Sequence, residues 1–267
     1  MAQGLSYVGC AGWSLPRDLQ PAFAAEGSHL QRYASRLNAA EINSSFHRPH
    51  SRATYERWAA SVPPDFRFSV KVPKAITHVS KLEDTHALLD EFLGQAAGLG
   101  QRLGCLLVQL PPSLAFAAHA AAASFFDALR QRHAGPLALE PRHVTWFTPQ
   151  VDGWLAERHV ARVLADPVRH DGGRAPGGAA DRIYLRLQGS PRMYYTSYPS
   201  GLLQALARRI ALAAQEGREV WCMFDNTAGS AATQNALELL QALAGRSVGV
   251  TSSRADINAD RLRRTGP

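Results

Sequence analysis

Residues 183–189 read IYLRLQG. Side chains along a strand alternate between two faces. Ile183, Leu185 and Leu187 therefore form one apolar face, and Tyr184, Arg186 and Gln188 form the other. The pattern recurs along the chain. In RFSVKVP (67–73), Phe68, Val70 and Val72 oppose Lys71; in CLLVQLP (105–111), Leu106, Val108 and Leu110 oppose Gln109. In PLALEPRH (136–143), Leu137 and Leu139 oppose Glu140 and Arg142; in VWCMFDN (220–226), Val220, Cys222 and Phe224 oppose Asp225. In AAEIN (39–43), Glu41 and Asn43 flank Ile42, and Asp166 closes a further strand. One face is apolar throughout, and the other gains a polar group at the strand's C-terminal end.

The expected strands are Tyr7–Ala11, Asn38–Ile42, Arg67–Val72, Cys105–Leu110, Pro136–Glu140, Ala161–Ala165, Ile183–Leu187 and Glu219–Phe224. Their starts lie roughly 22 to 38 residues apart, the spacing of βα units. Ser28 and Ser51 are placed to cap helices running to Arg36 and Ala60. Further helices are expected over Asp84–Leu103, His119–Arg132, Pro149–Arg158, Ser200–Glu216 and Ser230–Ala244. The segment DPVRHDGGRAPGGAAD (166–181), with four glycines and two prolines, reads as a loop. The expected architecture is an α/β TIM-like (β/α)8 barrel whose connection from strand six to strand seven lacks a regular helix. A doubly wound open sheet is the competitor. Gly9 and Gly12 are followed by Trp13, not by the helix start of a dinucleotide-binding GxGxxG turn.

Composition agrees with one globular domain over residues 1–250 and a basic tail over 251–267. The chain has 267 residues, 46% of them hydrophobic, and no apolar run long enough for a membrane span. The N-terminus lacks a basic-then-apolar export pattern, and Cys10, Cys105 and Cys222 form no CxxC pair, so a cytoplasmic location is expected. The net charge is +7, from 29 basic and 22 acidic side chains; the tail, with Arg254, Arg261, Arg263 and Arg264 against Asp256 and Asp260, supplies +2 of it. This excess permits a polyanionic partner without requiring one.

At a parallel barrel's C-terminal rim the polar residues would gather where barrel enzymes place their chemistry. Glu41, Glu140, Asp166 and Asp225 supply four acids, and Lys71, Arg142 and Arg186 three bases. Glu41 and Glu140 are candidates for base and acid. Lys71 is a candidate electrostatic catalyst. Arg142 and Arg186 are rigid forks suited to phosphate or carboxylate. Trp13, Asn43, Gln109, His143, Gln188 and Asn226 complete the candidate ligand-binding set, with His78 a second histidine past a strand end. Trp146 and the loop tyrosines Tyr194, Tyr195 and Tyr198 offer aromatic faces for a base or sugar ring. The competing reading is a salt-bridge lattice plugging the barrel end. No HxH or HExxH spacing marks a metal site and no organic cofactor motif is present; a divalent metal on Glu41, Glu140, His143, Asp166 and His78 is the minority alternative. The expected partner is a small anionic or phosphorylated ligand, with nucleic acid on the basic face as the alternative and no membrane.

The segments GCAGWS (9–14), EINSSFHR (41–48), PPDFRFSVKVPKAITH (63–78), LLVQLPPS (106–113), LEPRHVTWF (139–147), YLRLQG (184–189) and FDNTAGSAATQNA (224–236) fall in one order. Together they resemble the DUF72, or YecE-like, family from about Tyr7 to Leu243. The resemblance implies a TIM-barrel fold but supplies no reaction. Similarity of such barrels to the endonuclease IV and sugar-isomerase type suggests nucleic-acid or phosphosugar ligands by analogy alone. The family pattern maps onto Trp13, Glu41, Asn43, Lys71, Gln109, Glu140, Arg142, His143, Trp146, Asp166, Arg186, Asn226 and Asn235. Four positions depart from it: His47 stands where Tyr is usual, Pro141 where Phe is, Gln188 where His is, and Asp225 where Asn is common. If the usual His is an acid or base, Gln188 cannot replace it, because an amide does not titrate.

Overall fold

The structure is a computed structural model that describes residues 5–116 and 119–245; the basic tail over 251–267 lies outside them. Ten strands form one sheet: β1 (Ser6–Ala11), β2 (Ala39–Ile42), β3 (Arg67–Lys71), β4 (Leu103–Gln109), β5 (Leu137–Glu140), β6 (Val160–Arg162), β7 (Leu164–Asp166), β8 (Gly177–Gly178), β9 (Arg182–Leu187) and β10 (Glu219–Phe224). Their order is β7-β9-β10-β1-β2-β3-β4-β5-β6-β8, parallel except for the antiparallel β6–β8 pair.

The expected strand Ala161–Ala165 is divided. Its first half, β6, pairs with β5, and its second half, β7, pairs with β9. Val163 between them donates to Leu139 O at 2.8 Å. One continuous segment thus touches both ends of the sheet and bends it into a barrel-shaped wall. The loop expected over 166–181 holds only a one-turn 3-10 helix at Asp171–Gly173 and the two-residue β8.

Among the described residues seven α-helices pack outside the wall: α1 (His29–Ala34), α2 (Arg52–Ala60), α3 (His86–Ala96), α4 (His119–Arg132), α5 (Pro149–Glu157), α6 (Ser200–Gln215) and α7 (231–245). Ser28 caps α1 in a capping box with Gln31, and Ser51 caps α2. The helix expected over Asp84–Leu103 is shorter. Asp84 sits at φ 49°, α3 starts at His86, and the chain passes through a 3-10 turn at Ala97–Arg102 with Gly100 at φ 50°. That left-handed glycine ends the turn and frees Leu103 to begin β4. None of the described helices is long and apolar enough to cross a membrane.

The alternation of side chains separates two cores. Outward residues such as Val8, Phe68, Leu106, Leu139, Leu185 and Phe224 pack under the helices. Inward residues Tyr7, Ala39, Cys105, Leu107, Ala138, Tyr184, Trp221 and Met223 fill the barrel. Tyr184 stacks on Trp221 at an interplanar angle of 7°. Gly9 lets β2 come close, since a Cβ there would lie 1.9 Å from Ala39 O. Above this apolar floor, the same inward parity turns polar.

Candidate functional site

Arg186 is the centre of the polar layer. It points inward from the C-terminal half of β9 and is 1% exposed. Its Nε donates to Glu41 Oε2 at 2.9 Å and its Nη2 to Glu41 Oε1 at 2.6 Å. Nη1 donates to Glu140 Oε2 at 2.9 Å, and Nη2 also reaches Asp225 Oδ2 at 2.9 Å. One planar fork, projecting from β9, thus ties together the ends of β2, β5 and β10. Burial of three carboxylates is tolerable because each has this partner.

Further donors complete the glutamates. Gln109 and Gln188 donate to Glu140 at 3.0 and 3.1 Å, and Arg142 pairs with its Oε1. The Tyr184 hydroxyl lies 3.1 Å from Glu41 Oε2 and 2.7 Å from Ser69 Oγ. Burial works against ionised Glu140, but Arg186, Arg142 and Lys71 outweigh it and hold the carboxyl at about 2. Asp225 goes the other way. Burial pushes it up to about 6; Glu41 and Glu140 add to the rise, and Arg186 and Lys71 oppose it.

Lys71 differs from the arginines. It is 6% exposed, yet its ammonium forms no ion pair or hydrogen bond with the described residues; its Nζ sits 4.2 Å from the centre of the Phe46 ring. Burial and the neighbouring Arg186 lower its pKa, against Glu41, Glu140 and Asp225. A cleft of about 450 Å³ opens above this layer. Lys71, Arg142, Arg186 and Asp225 form its floor and sides, together with Asn43, Gln109, Phe46, His78 and Tyr194. His78 comes from a single π turn at Ala75–Val79, a distortion frequent at functional sites. Its Nδ1 lies 2.8 Å from Thr77 Oγ1, leaving Nε2 for the cleft. Burial and Lys71 lower its pKa.

Orphaned polar atoms mark the same region. Asn43 Oδ1 and Arg142 Nε at the cleft, and Gln188 Oε1 in the layer beneath it, are buried without a hydrogen-bond partner. Such groups cost about 1–3 kcal/mol each unless something meets them.

The remaining sequence candidates lie elsewhere. Trp13 packs edge-on against Trp58 and Phe68, outside the residues that line the cleft. Trp146 is fully buried and donates to Leu114 O at 2.8 Å. His143 caps a 3-10 turn by accepting from Thr145 N. Asp166 accepts from the Tyr198 hydroxyl at 2.5 Å. Asn226 donates to Thr196 O and to Asn235 Oδ1, both at 3.0 Å. Asn235 also accepts from Tyr198 N and donates to Tyr198 O, so it is the anchor of the 189–199 loop. Asn235→Ala is expected to lower the unfolding free energy by about 2 kcal/mol, measured by urea titration; a loss under about 0.5 kcal/mol would contradict this role.

Phe46, His47 and Thr227 line the cleft without standing out as ligand groups on sequence alone. Tyr194 had carried an aromatic signal, and its left-handed backbone, φ 69°, brings its ring to the cleft. Among the described residues no group of three His, Cys, Asp or Glu is arranged to hold a metal ion. The three carboxylates of the mouth converge on Arg186 instead.

A family profile described as "Protein of unknown function DUF72" matches residues 7–258. Among curated relatives, UPF0759 protein YecE of Escherichia coli (strain K12) is 28% identical over 165 residues, spanning 60% of this chain and only 58% of that protein. UPF0759 protein YunF of Bacillus subtilis (strain 168) is 22% identical over 283 residues, 89% of this chain and 94% of that protein. A crystal structure of an Enterococcus faecalis DUF72 family protein matches with a TM-score of 0.76 at 20% identity, covering 90% of this chain and 95% of the other. One from Thermotoga maritima gives 0.71 at 24% identity, covering 90% and 99%. These structures share the barrel-shaped fold.

Proposed function

Because the chain belongs to the DUF72 family, whose description assigns no activity, we propose from the site itself that the cleft at the barrel mouth binds a small phosphorylated or otherwise anionic ligand. Lys71 carries this reading. It is a buried ammonium with no ion pair to any described residue, and it faces open space. Glu41, Glu140 and Asp225 balance Lys71, Arg142 and Arg186 in formal charge, but the three carboxylates are turned onto Arg186, so the charged group left facing the cleft without a partner is the Lys71 ammonium. Arg142, whose Nε is buried and unpartnered, is the second donor.

Two groups of the cleft suit proton exchange with a bound ligand. Asp225, raised to about 6, changes protonation near neutral pH. His78, with one ring nitrogen free, is the other. Glu140, held at about 2, stays ionised and serves as a counter-ion, and Glu41 holds the same fork. The acid–base work expected of the two glutamates therefore passes to Asp225 in this proposal. Hydrolysis or isomerisation of a phosphorylated small molecule is the chemistry that such a cleft would support.

Inorganic phosphate titrated by calorimetry tests the anion site. Lys71→Met is expected to weaken binding about tenfold, the loss of one charge-assisted contact, with an unchanged circular dichroism spectrum. Equal affinity in both proteins, or no binding to the wild type at millimolar phosphate, would remove the reading.

A further inference from the structure

We infer that the ligand carries a second anionic group, held by Arg169 beside the mouth. This deepens the proposed function and rests on it. After β7 the chain runs through Pro167, Val168, Arg169 and His170, and His170 Nε2 lies 3.2 Å from Arg142 O. Gly172 allows the loop to lie flat on Phe147, because a Cβ there would stand 2.5 Å from Phe147 O. These two anchors hold the loop against the segment that bears Arg142.

The clefts adjoin through shared walls. Arg142 lines the cleft at the mouth and also a small crevice beside it. Arg169 lines that crevice and also an outer groove of about 570 Å³. The order is therefore Lys71, Arg142, Arg169, three cations leading from the barrel mouth to its side. Arg169 is exposed and forms no ion pair with a described residue; its side chain reaches Met193 Sδ at 3.9 Å, and the carboxylate whose charge it feels, Glu140, is already paired with Arg186 and Arg142. The acid of the outer groove, Asp171, is already paired with Arg174 at 2.8 Å. Arg169 also feels Arg142: after burial, the charge of that arginine is the main cause lowering its pKa. The crevice itself, about 20 Å³ and mostly apolar, is too small for an anion, but the two guanidinium groups on its wall can meet one at its outer edge, Arg142 through the edge not turned to Glu140. A lone phosphate on Lys71 leaves Arg169 unused. A ligand with two anionic groups, such as a bisphosphate or pyrophosphate ester, uses all three.

The test compares inorganic phosphate, pyrophosphate and tripolyphosphate by calorimetry in wild type, Arg169→Met and Arg209→Met. The last removes an exposed charge from α6 and controls for overall electrostatics. In the wild type and in Arg209→Met, at least one longer anion should bind about tenfold more tightly than phosphate, and in Arg169→Met that ratio should fall below about threefold. If phosphate binds through Lys71 but the ratio is near one in the wild type, or survives in Arg169→Met, the second subsite is refuted while the anion cleft stands. Failure of all three anions to bind removes the cleft and the subsite together.

Discussion

Arg186→Met is expected to cost about 3–5 kcal/mol of unfolding free energy at pH 8, the penalty for breaking a buried ion pair by deleting one partner. The side chain volumes are similar, so the loss is electrostatic rather than a cavity effect. Glu41 suffers most. It is fully buried, and with Arg186 gone the Tyr184 hydroxyl is the side-chain donor still within reach of its carboxylate. Glu140 keeps Arg142, Gln109 and Gln188. Part of the loss should return at pH 5, where an uncompensated buried carboxyl takes up a proton. Glu41→Gln in the same background should also restore part of it, because it removes the orphaned charge. Arg186→Lys should rescue little, since a point charge cannot bridge three carboxylates. Urea titrations at both pH values measure all of this. A loss below about 1 kcal/mol, or one that is equal at pH 5 and pH 8, would show that Arg186 does not compensate these acids.

The fate of Arg186 also explains how much was legible in the sequence. Alternation along each strand separated inward from outward residues and placed the polar set at one rim. The spacing of the strands implied the barrel. Two things were not legible. Which acid pairs with which base depends on register between strands far apart in sequence, such as Glu41 with Arg186, 145 residues on. No local pattern encodes that pairing, so the sequence leaves the two glutamates open between acid–base groups and members of a salt-bridge lattice. The division of Ala161–Ala165 into β6 and β7 was hidden for a related reason. Nothing local in the sequence of this segment marks a break, and its change of partner at Val163 follows from closing the sheet. Trp13 was misleading in a third way. An aromatic ring after a glycine turn reads equally as a ligand platform or as core, and only the neighbours Trp58 and Phe68 decide.

The second large effect concerns Asp225, the acid of the cluster that titrates near neutrality. Its pKa rises from an ordinary 3.8 to about 6, so the folded protein binds more protons than the unfolded chain between those values. Stability contributed by this group is therefore present at low pH and declines as pH rises from about 4 to about 6, by an amount on the order of 3 kcal/mol. Glu140 has the opposite sign, because its contribution is lost only as pH falls from about 4.5 toward 2. Anion binding follows Asp225. Below pH 6 its carboxyl is neutral and the cleft is more positive. Sulfate is the suitable probe, as its own charge is constant over this range. Wild type is expected to bind sulfate about tenfold more tightly at pH 5 than at pH 7.5. Asp225→Asn keeps an oxygen for Arg186 and removes the titration. It should bind at pH 7.5 about as tightly as wild type does at pH 5, with a change across the range below about threefold. The other charged or titratable groups lining the cleft are Lys71, Arg142, Arg186, His47, His78 and Tyr194, with Glu41 and Glu140 beneath them on Arg186. The pKa of His78 is lowered from 6.5 by burial and by Lys71, and protonation of a cleft histidine also strengthens binding in acid. The variant separates Asp225 from the histidines: if the full tenfold slope persists in Asp225→Asn, a cleft histidine, His47 or His78, is the switch and the acid–base role assigned to Asp225 is wrong.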